Sequence, residues 1–141
     1  MSERIFVMTS SRFQGSVTYH YAENGYLKIL KNEAQMDTLT HGELLKKATP
    51  IHISQMLEMQ KAVKYGKIEE MPPDLSFEHF WKTYGNFAGK KKRCEQLWSA
   101  LNDTERTQCL NYISIYKSAK SRDGTALAYP ETYINNRVWE I

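Results

Sequence analysis

Four consecutive cations, Lys90-Lys91-Lys92-Arg93, follow Gly89 at the start of a helical run, and they are the most pointed chemical feature of the sequence. Positive side chains in the first turn of a helix oppose its macrodipole, and each forgoes roughly 0.3–1 kcal/mol when exposed. The backbone amides that repel lysine there attract phosphate, so free amides together with four cations would form an anion-binding site. The bland reading of the same run is a solvated basic turn. Aromatic residues lie close by. Trp81, Tyr84 and Phe87 precede the cations, and an exposed ring stacks a nucleic-acid base with about 1–3 kcal/mol. Helical spacing assigns Trp81 to a core, whereas Phe87, between two predicted helices, is the ring expected to face solvent.

The other reactive residue types form no convergent set. His20, His41, His52 and His79 are scattered, and Glu78 adjoins His79 at a spacing that points the two side chains apart on a helix. Glu69-Glu70 reads as a solvated charge pair rather than an acid and base dyad. Gly85-Asn86-Phe87-Ala88-Gly89-Lys90-Lys91 contains glycine and lysine but lacks the Walker spacing and its magnesium-binding hydroxyl. Cys94 and Cys109 fall on predicted inner faces, where a neutral buried thiol is the expected state. They have neither the spacing of a zinc site nor the number needed for a disulfide framework. No catalytic residue, metal site or cofactor is expected.

Composition sets the frame for these residues. The chain has 141 residues, 41% hydrophobic, 12% aromatic and 25% charged, which suits one compact domain or two small ones. Its apolar runs are far shorter than the roughly 20 residues that cross a bilayer. The first residues lack the basic-then-apolar order of a signal peptide, so a soluble, cytoplasmic protein without membrane contact is expected. Charge divides unevenly. Residues 1–75 hold nine Lys plus Arg against nine Asp plus Glu, while residues 76–141 hold ten against seven, so the whole +3 lies in the second half. A surplus of that size is also common for solubility alone, yet it makes the second half the better seat for an anion.

The elements that must position these residues fall into two parts. In residues 1–66, Ile5-Phe6-Val7-Met8 is β-prone, and Ser16–Tyr21 alternates Val17, Tyr19 and Tyr21 against Ser16, Thr18 and His20. Asn24-Gly25 then predicts a type I′ hairpin turn into a return strand over Tyr26–Lys31. Thr40 and Glu43 resemble a capping box for a short helix running through Leu44-Leu45-Lys46-Lys47-Ala48 to Thr49, before Pro50. Ser54 is the predicted cap of a second helix carrying Met56, Leu57, Met59, Gln60 and Val63, with Gly66 ending it. Its methionines are read as core filling. Residues 67–75, which include Pro72-Pro73, read as a linker.

Residues 76–141 read as three or four helices. Ser76 caps a helix with Phe77, Phe80, Trp81 and Tyr84 on one face, ended by Gly85. The basic run opens a second helix with Cys94, Leu97, Trp98 and Leu101 inward. Asn102 and Glu105 form a capping box for a third, with Cys109, Leu110, Tyr112, Ile113 and Tyr116 on its inner face and Ser121-Arg122-Asp123-Gly124 breaking it. Pro130 suits the first position of a last short helix with Tyr133 and Ile134. The fold class expected is therefore α+β, a hairpin with short helices followed by a small all-α helical bundle.

The second part also resembles a known group. Phe77-x-x-Phe80-Trp81-x-x-Tyr84, then Gly89-Lys90-Lys91, Trp98-x-x-Leu101, and Pro130-x-Thr132-Tyr133-Ile134-Asn135 with Trp139-Glu140 are similar to the carboxyl-terminal region of replication initiator and helicase-loader proteins of phages and other mobile elements. Gly85 stands where that pattern generally has proline, and Tyr133-Ile134 replaces a tryptophan-leucine pair. Members of the group tend to carry a winged-helix or related DNA-binding domain ahead of this region, a pattern that the hairpin and two short helices do not match. The resemblance implies a place in mobile-element DNA replication.

Together these readings point to a non-enzymatic accessory protein of DNA replication that binds single-stranded DNA, a replicative helicase, or both. Lys90, Lys91, Lys92 and Arg93 would neutralise phosphates, Lys82, Lys117, Lys120 and Arg122 would extend the patch, and Phe87 would stack a base. The alternative is a protein–protein interaction adaptor without a nucleic-acid role, which would use the neutral first part, its methionine-rich helix and an open hairpin edge.

Overall fold

A computed structural model describes residues 2–47 and 49–140 of the chain. The fold is α+β: an antiparallel sheet with two helices comes first, and four helices follow. Two compact units divide the chain, Met1–Met71 and Pro72–Ile141.

The first unit contains strands β1 (Arg4–Ser10), β2 (Phe13–Tyr21), β3 (Leu27–Asn32) and β4 (Gly66–Glu70), with helices α1 (Thr38–Lys47) and α2 (Ile53–Ala62) between β3 and β4. The sheet order is β3-β2-β1-β4, and every pairing is antiparallel. Period-two alternation puts Phe6, Met8, Val17, Tyr19, Tyr21 and Ile68 on one face, where they pack with Leu44 of α1 and Met56 of α2. Phe6 lies opposite Tyr19, and Met8 lies opposite both Val17 and Ile68. Burial pushes the Tyr19 phenol up to about 12. The Tyr21 hydroxyl donates to the Pro50 carbonyl at 2.8 Å, so its polar end is satisfied inside the core.

Four details differ from the sequence expectation. Residues 67–70 are not linker but most of β4, because Ile68 points inward and Gly66 lets the strand lie against β1. A Cβ on Gly66 would overlap the Thr9 carbonyl, so Gly66 serves strand contact rather than helix termination; α2 ends at Ala62. The turn after β2 has positive φ at Gly25 only, not at Asn24. Together with the register shift at His20/Tyr21, this is a glycine-bulge turn rather than type I′. The helix caps also lie earlier: Asp37 Oδ1 accepts from the Thr40 amide. His52 Nδ1 accepts from the Ser54 amide, while Gln55 Oε1 accepts from the His52 amide. Ala48, the last residue of the basic-aliphatic run predicted as helical, lies outside the described residues.

The second unit contains α3 (Phe77–Tyr84), α4 (Lys91–Ser99), α5 (Asp103–Asp123) and α6 (Pro130–Asn135). Ser76 caps α3, and the Asn102–Glu105 box caps α5; Gly85 and Gly124 close these helices in the left-handed region. The α5 helix runs through Ser121-Arg122-Asp123, two residues past the expected break at Ser121, since only Gly124 changes the backbone hand. The core is dominated by aromatic rings. Phe80 stacks on Trp98, Tyr84 and Tyr133 with centroids 5.0, 5.7 and 6.2 Å apart. Three of the polar tips are satisfied: Tyr133 donates to the Cys109 carbonyl at 2.9 Å, Tyr84 to Ala128 at 2.6 Å, and the Trp98 indole to Leu75 at 3.1 Å, whereas the buried Trp139 indole nitrogen has no partner among the described residues. Cys94 and Cys109 are buried free thiols, and burial pushes the Cys94 thiol up to about 12. Among the described residues no helix is long and apolar enough to cross a membrane.

Candidate nucleic-acid interface

The basic run straddles the start of α4. Lys90 is the residue before the first helical turn, in extended backbone and without a side-chain cap, and Lys91, Lys92 and Arg93 form that turn. All four are exposed, and no ion pair joins any of them to a carboxylate among the described residues.

The amides are another matter. Glu131, in the first turn of α6, reaches across so that its Oε2 accepts from the Lys90 amide. Its Oε1 is buried and lies against Gly89, whose φ is +93° and whose position would not accommodate a Cβ without overlap with that carboxylate. The expected anion niche is therefore partly filled from within. An internal carboxylate offsets the macrodipole cost of the four cations, which the sequence reading had assigned to an external anion.

Side chains around this turn define a basic and aromatic surface. Lys91 Nζ lies 5.5 Å from the centroid of Trp81, over its ring. Trp81 is 9% exposed, and its centroid is 5.9 Å from that of Phe87, which is 63% exposed. Phe87 is held out by the loop between α3 and α4. There Asn86 donates to the Ala128 carbonyl at 3.3 Å, and its Oδ1 accepts from the Ala88 amide at 3.3 Å. On the other side of α4, Arg93 and Leu97 line a cleft of about 180 Å³ with Glu131, Thr132 and Asn135 of α6.

The remaining cations are placed differently. Lys82 is exposed on α3, one residue from Trp81. Lys117 of α5 is half-buried, and its Nζ donates to the Thr83 carbonyl at 2.7 Å, holding the carboxyl-terminal end of α3. Lys120 lies 5.6 Å from the Tyr116 ring centroid, and Arg122 is exposed near the end of α5. The structure thus brings Lys91, Trp81 and Phe87 together beside the rest of the basic run. It gives Lys117 and Lys120 internal partners on α3 and α5. Glu131 escaped the sequence reading, because nothing in Pro130-Glu131 announces a partner 41 residues away. Among the described residues no group of three or more His, Cys, Asp or Glu could hold a metal ion.

Fold and site together define a sheet-and-helix unit joined to a helical unit that presents free cations beside an exposed ring. A family model described as the Legionella vir region protein LvrA C-terminal domain matches residues 72–137. The matched stretch starts at the first residue of the second unit and contains α3 to α6, including the whole basic and aromatic surface. No curated protein and no solved structure matches the chain.

Proposed function

We propose that the protein is an accessory factor of phage or mobile-element DNA replication, acting in the cytoplasm, whose helical unit binds single-stranded DNA without catalysis of its own. The observation that carries this reading is the set of exposed, acid-free cations Lys90, Lys91, Lys92 and Arg93 next to the exposed Phe87 ring. Cations without internal carboxylate partners neutralise phosphates, and a solvent-facing ring gives a base a stacking surface. The replication setting rests on the sequence resemblance described above. A replicative helicase is the protein partner that the same resemblance suggests.

Fluorescence anisotropy with a labelled oligonucleotide tests the reading. Micromolar binding is expected at low salt, and log affinity should fall with log salt by about 0.7 for each phosphate neutralised. Lys90→Ala plus Lys91→Ala should flatten that slope. No binding at micromolar protein, or a slope the double variant leaves unchanged, rejects single-strand binding.

The adaptor reading keeps one specific support: β3 is an edge strand of the sheet and carries Ile29 half exposed. Light scattering that shows a self-associated species, disrupted by Ile29→Lys, would favour it.

A further inference from the structure

All three tryptophans of the second unit have a cation beside the indole, but the three cations are held differently. Arg106 lies over Trp98, where its guanidinium is fixed by the Trp98 carbonyl at 3.2 Å and by Asp103 at 3.3 Å. Arg137 lies over Trp139 and is clamped by Glu140 at 2.7 Å and Glu105 at 2.5 Å. Lys91 over Trp81 has no carboxylate partner among the described residues and belongs to the exposed basic run. Trp81 is also the tryptophan at the margin of the aromatic cluster. Its ring neighbours are Phe77, at 5.6 Å, and the exposed Phe87, whereas Trp98 stacks on Phe80 and Trp139 packs at a tilt against Tyr133 in the inner core.

We propose that Lys91 is a displaceable cover over Trp81, and that a single strand whose phosphate captures the Lys91 ammonium exposes the indole as a second base-stacking ring beside Phe87. The inference rests on the single-strand reading and deepens it by naming the ligand chemistry: a phosphate followed by unpaired bases. Lys91 is exposed while Trp81 is 9% exposed, so the cation is held over the ring by about 0.5–2 kcal/mol. A phosphate competes for that ammonium directly, and the uncovered indole face then gains a base. The occupant follows from the charge complementarity of the surface, in which Lys90, Lys92 and Arg93 adjoin Lys91 in one exposed basic run. A duplex, with its bases paired and stacked inside, would meet the cations but leave Trp81 covered.

The test uses the full chain, intrinsic tryptophan fluorescence and two ligands of equal phosphate number: an oligothymidine and an abasic strand. The oligothymidine should quench the indole signal and the abasic strand should not, although anisotropy shows both bound. Trp81→Leu, which removes the ring, should abolish the quench and weaken oligothymidine binding about ten-fold while leaving abasic binding unchanged. Circular dichroism checks that this variant folds. A surface variant supplies a readout that needs no ligand: Lys91→Ala should raise acrylamide quenching of the free protein, and Lys92→Ala should not. Equal quenching by both strands, or unchanged acrylamide access in Lys91→Ala, overturns the cover while single-strand binding stands. If neither strand binds at low salt, the single-strand reading falls as well.

Discussion

In the first unit five of the nine lysines and arginines pair with carboxylates, and Arg12 lies over the Tyr65 ring, whereas in the second the lysines sit beside rings, carbonyls or water. Arg4 pairs with Glu70, Lys28 with Glu3, Lys31 with Glu33, Lys47 with Glu43, and Lys61 with Glu58. In the second unit the arginines Arg106 and Arg137 take Asp103, Glu105 and Glu140, and Glu131, which reaches the start of the basic run, binds a backbone amide instead of a side chain. The difference teaches where the net charge becomes usable. Exposed ion pairs contribute little to stability, a median near 0–1 kcal/mol, yet they cancel field. A unit that leaves its lysines without acids keeps a positive potential at its surface, and one that pairs them does not.

Core chemistry offers the sharpest way to break the comparison. The second unit depends on stacked rings, so Phe80→Ala should cost about 3–5 kcal/mol, and Met56→Ala in the first unit about 2–5 kcal/mol, toward the lower end because thioether packing adapts. Thermal melts of the two variants check the order; a larger loss for Met56→Ala would show that the aromatic cluster is not the stiffer core. Glycines supply the next contrast. Gly66→Ala forces a Cβ onto the Thr9 backbone, and Gly89→Ala forces one onto the Glu131 carboxylate at positive φ, each expected to cost about 1–3 kcal/mol. A double-mutant cycle separates them. In a Glu131→Ala background the Gly89→Ala cost should drop to the residual backbone penalty, about 1 kcal/mol, and an unchanged cost would mean that the carboxylate does not shape that turn.

Glu131→Gln should be milder for the fold and informative for the surface. Removing one negative charge from the start of α4 costs roughly 0.3–1 kcal/mol of stability and leaves the basic run less neutralised, so oligonucleotide binding should tighten several-fold at low salt. Anisotropy that shows equal or weaker binding would mean the internal carboxylate does not offset the cations. The smallest effect concerns acid. Arg137 holds the Glu140 carboxyl below its usual value of 4.5. A depressed carboxylate stabilises the fold above pH 4.5 and loses that contribution as pH falls through the lower, folded value. Glu140→Gln should therefore flatten the melting temperature below pH 4.5 and leave the first unit's response unchanged.

Local signals in the sequence carried most of the helical unit. Ser76, Gly85, the Asn102–Glu105 box and Pro130 act within one turn of themselves, so their meaning survives without tertiary information. The burial of Trp81 and the exposure of Phe87 followed from helical period for the same reason. The first unit was less legible. Strand β4 has a single inward apolar side chain, Ile68, followed by two glutamates and two prolines, and only its pairing with β1 makes it a strand. His52 as a helix cap depends on the geometry of the preceding bridge to Tyr26, since histidine is not among the usual capping residues. At the candidate interface the four cations and Phe87 were visible, but Glu131 under Gly89 and Lys91 over Trp81 were not. Both are contacts between separate elements, and no spacing rule encodes them.

The bond from the Trp98 indole to the Leu75 carbonyl fixes how the helical unit can be cut out of the chain. Leu75 precedes α3, and Asp74 before it accepts from the Ser76 amide at 2.9 Å. A fragment that starts at Phe77, with the first helix, would discard the Ser76 cap and strand an indole donor in the interior. One that starts at Asp74 keeps both, so the smallest portable version of this module carries a three-residue leash ahead of its first helix.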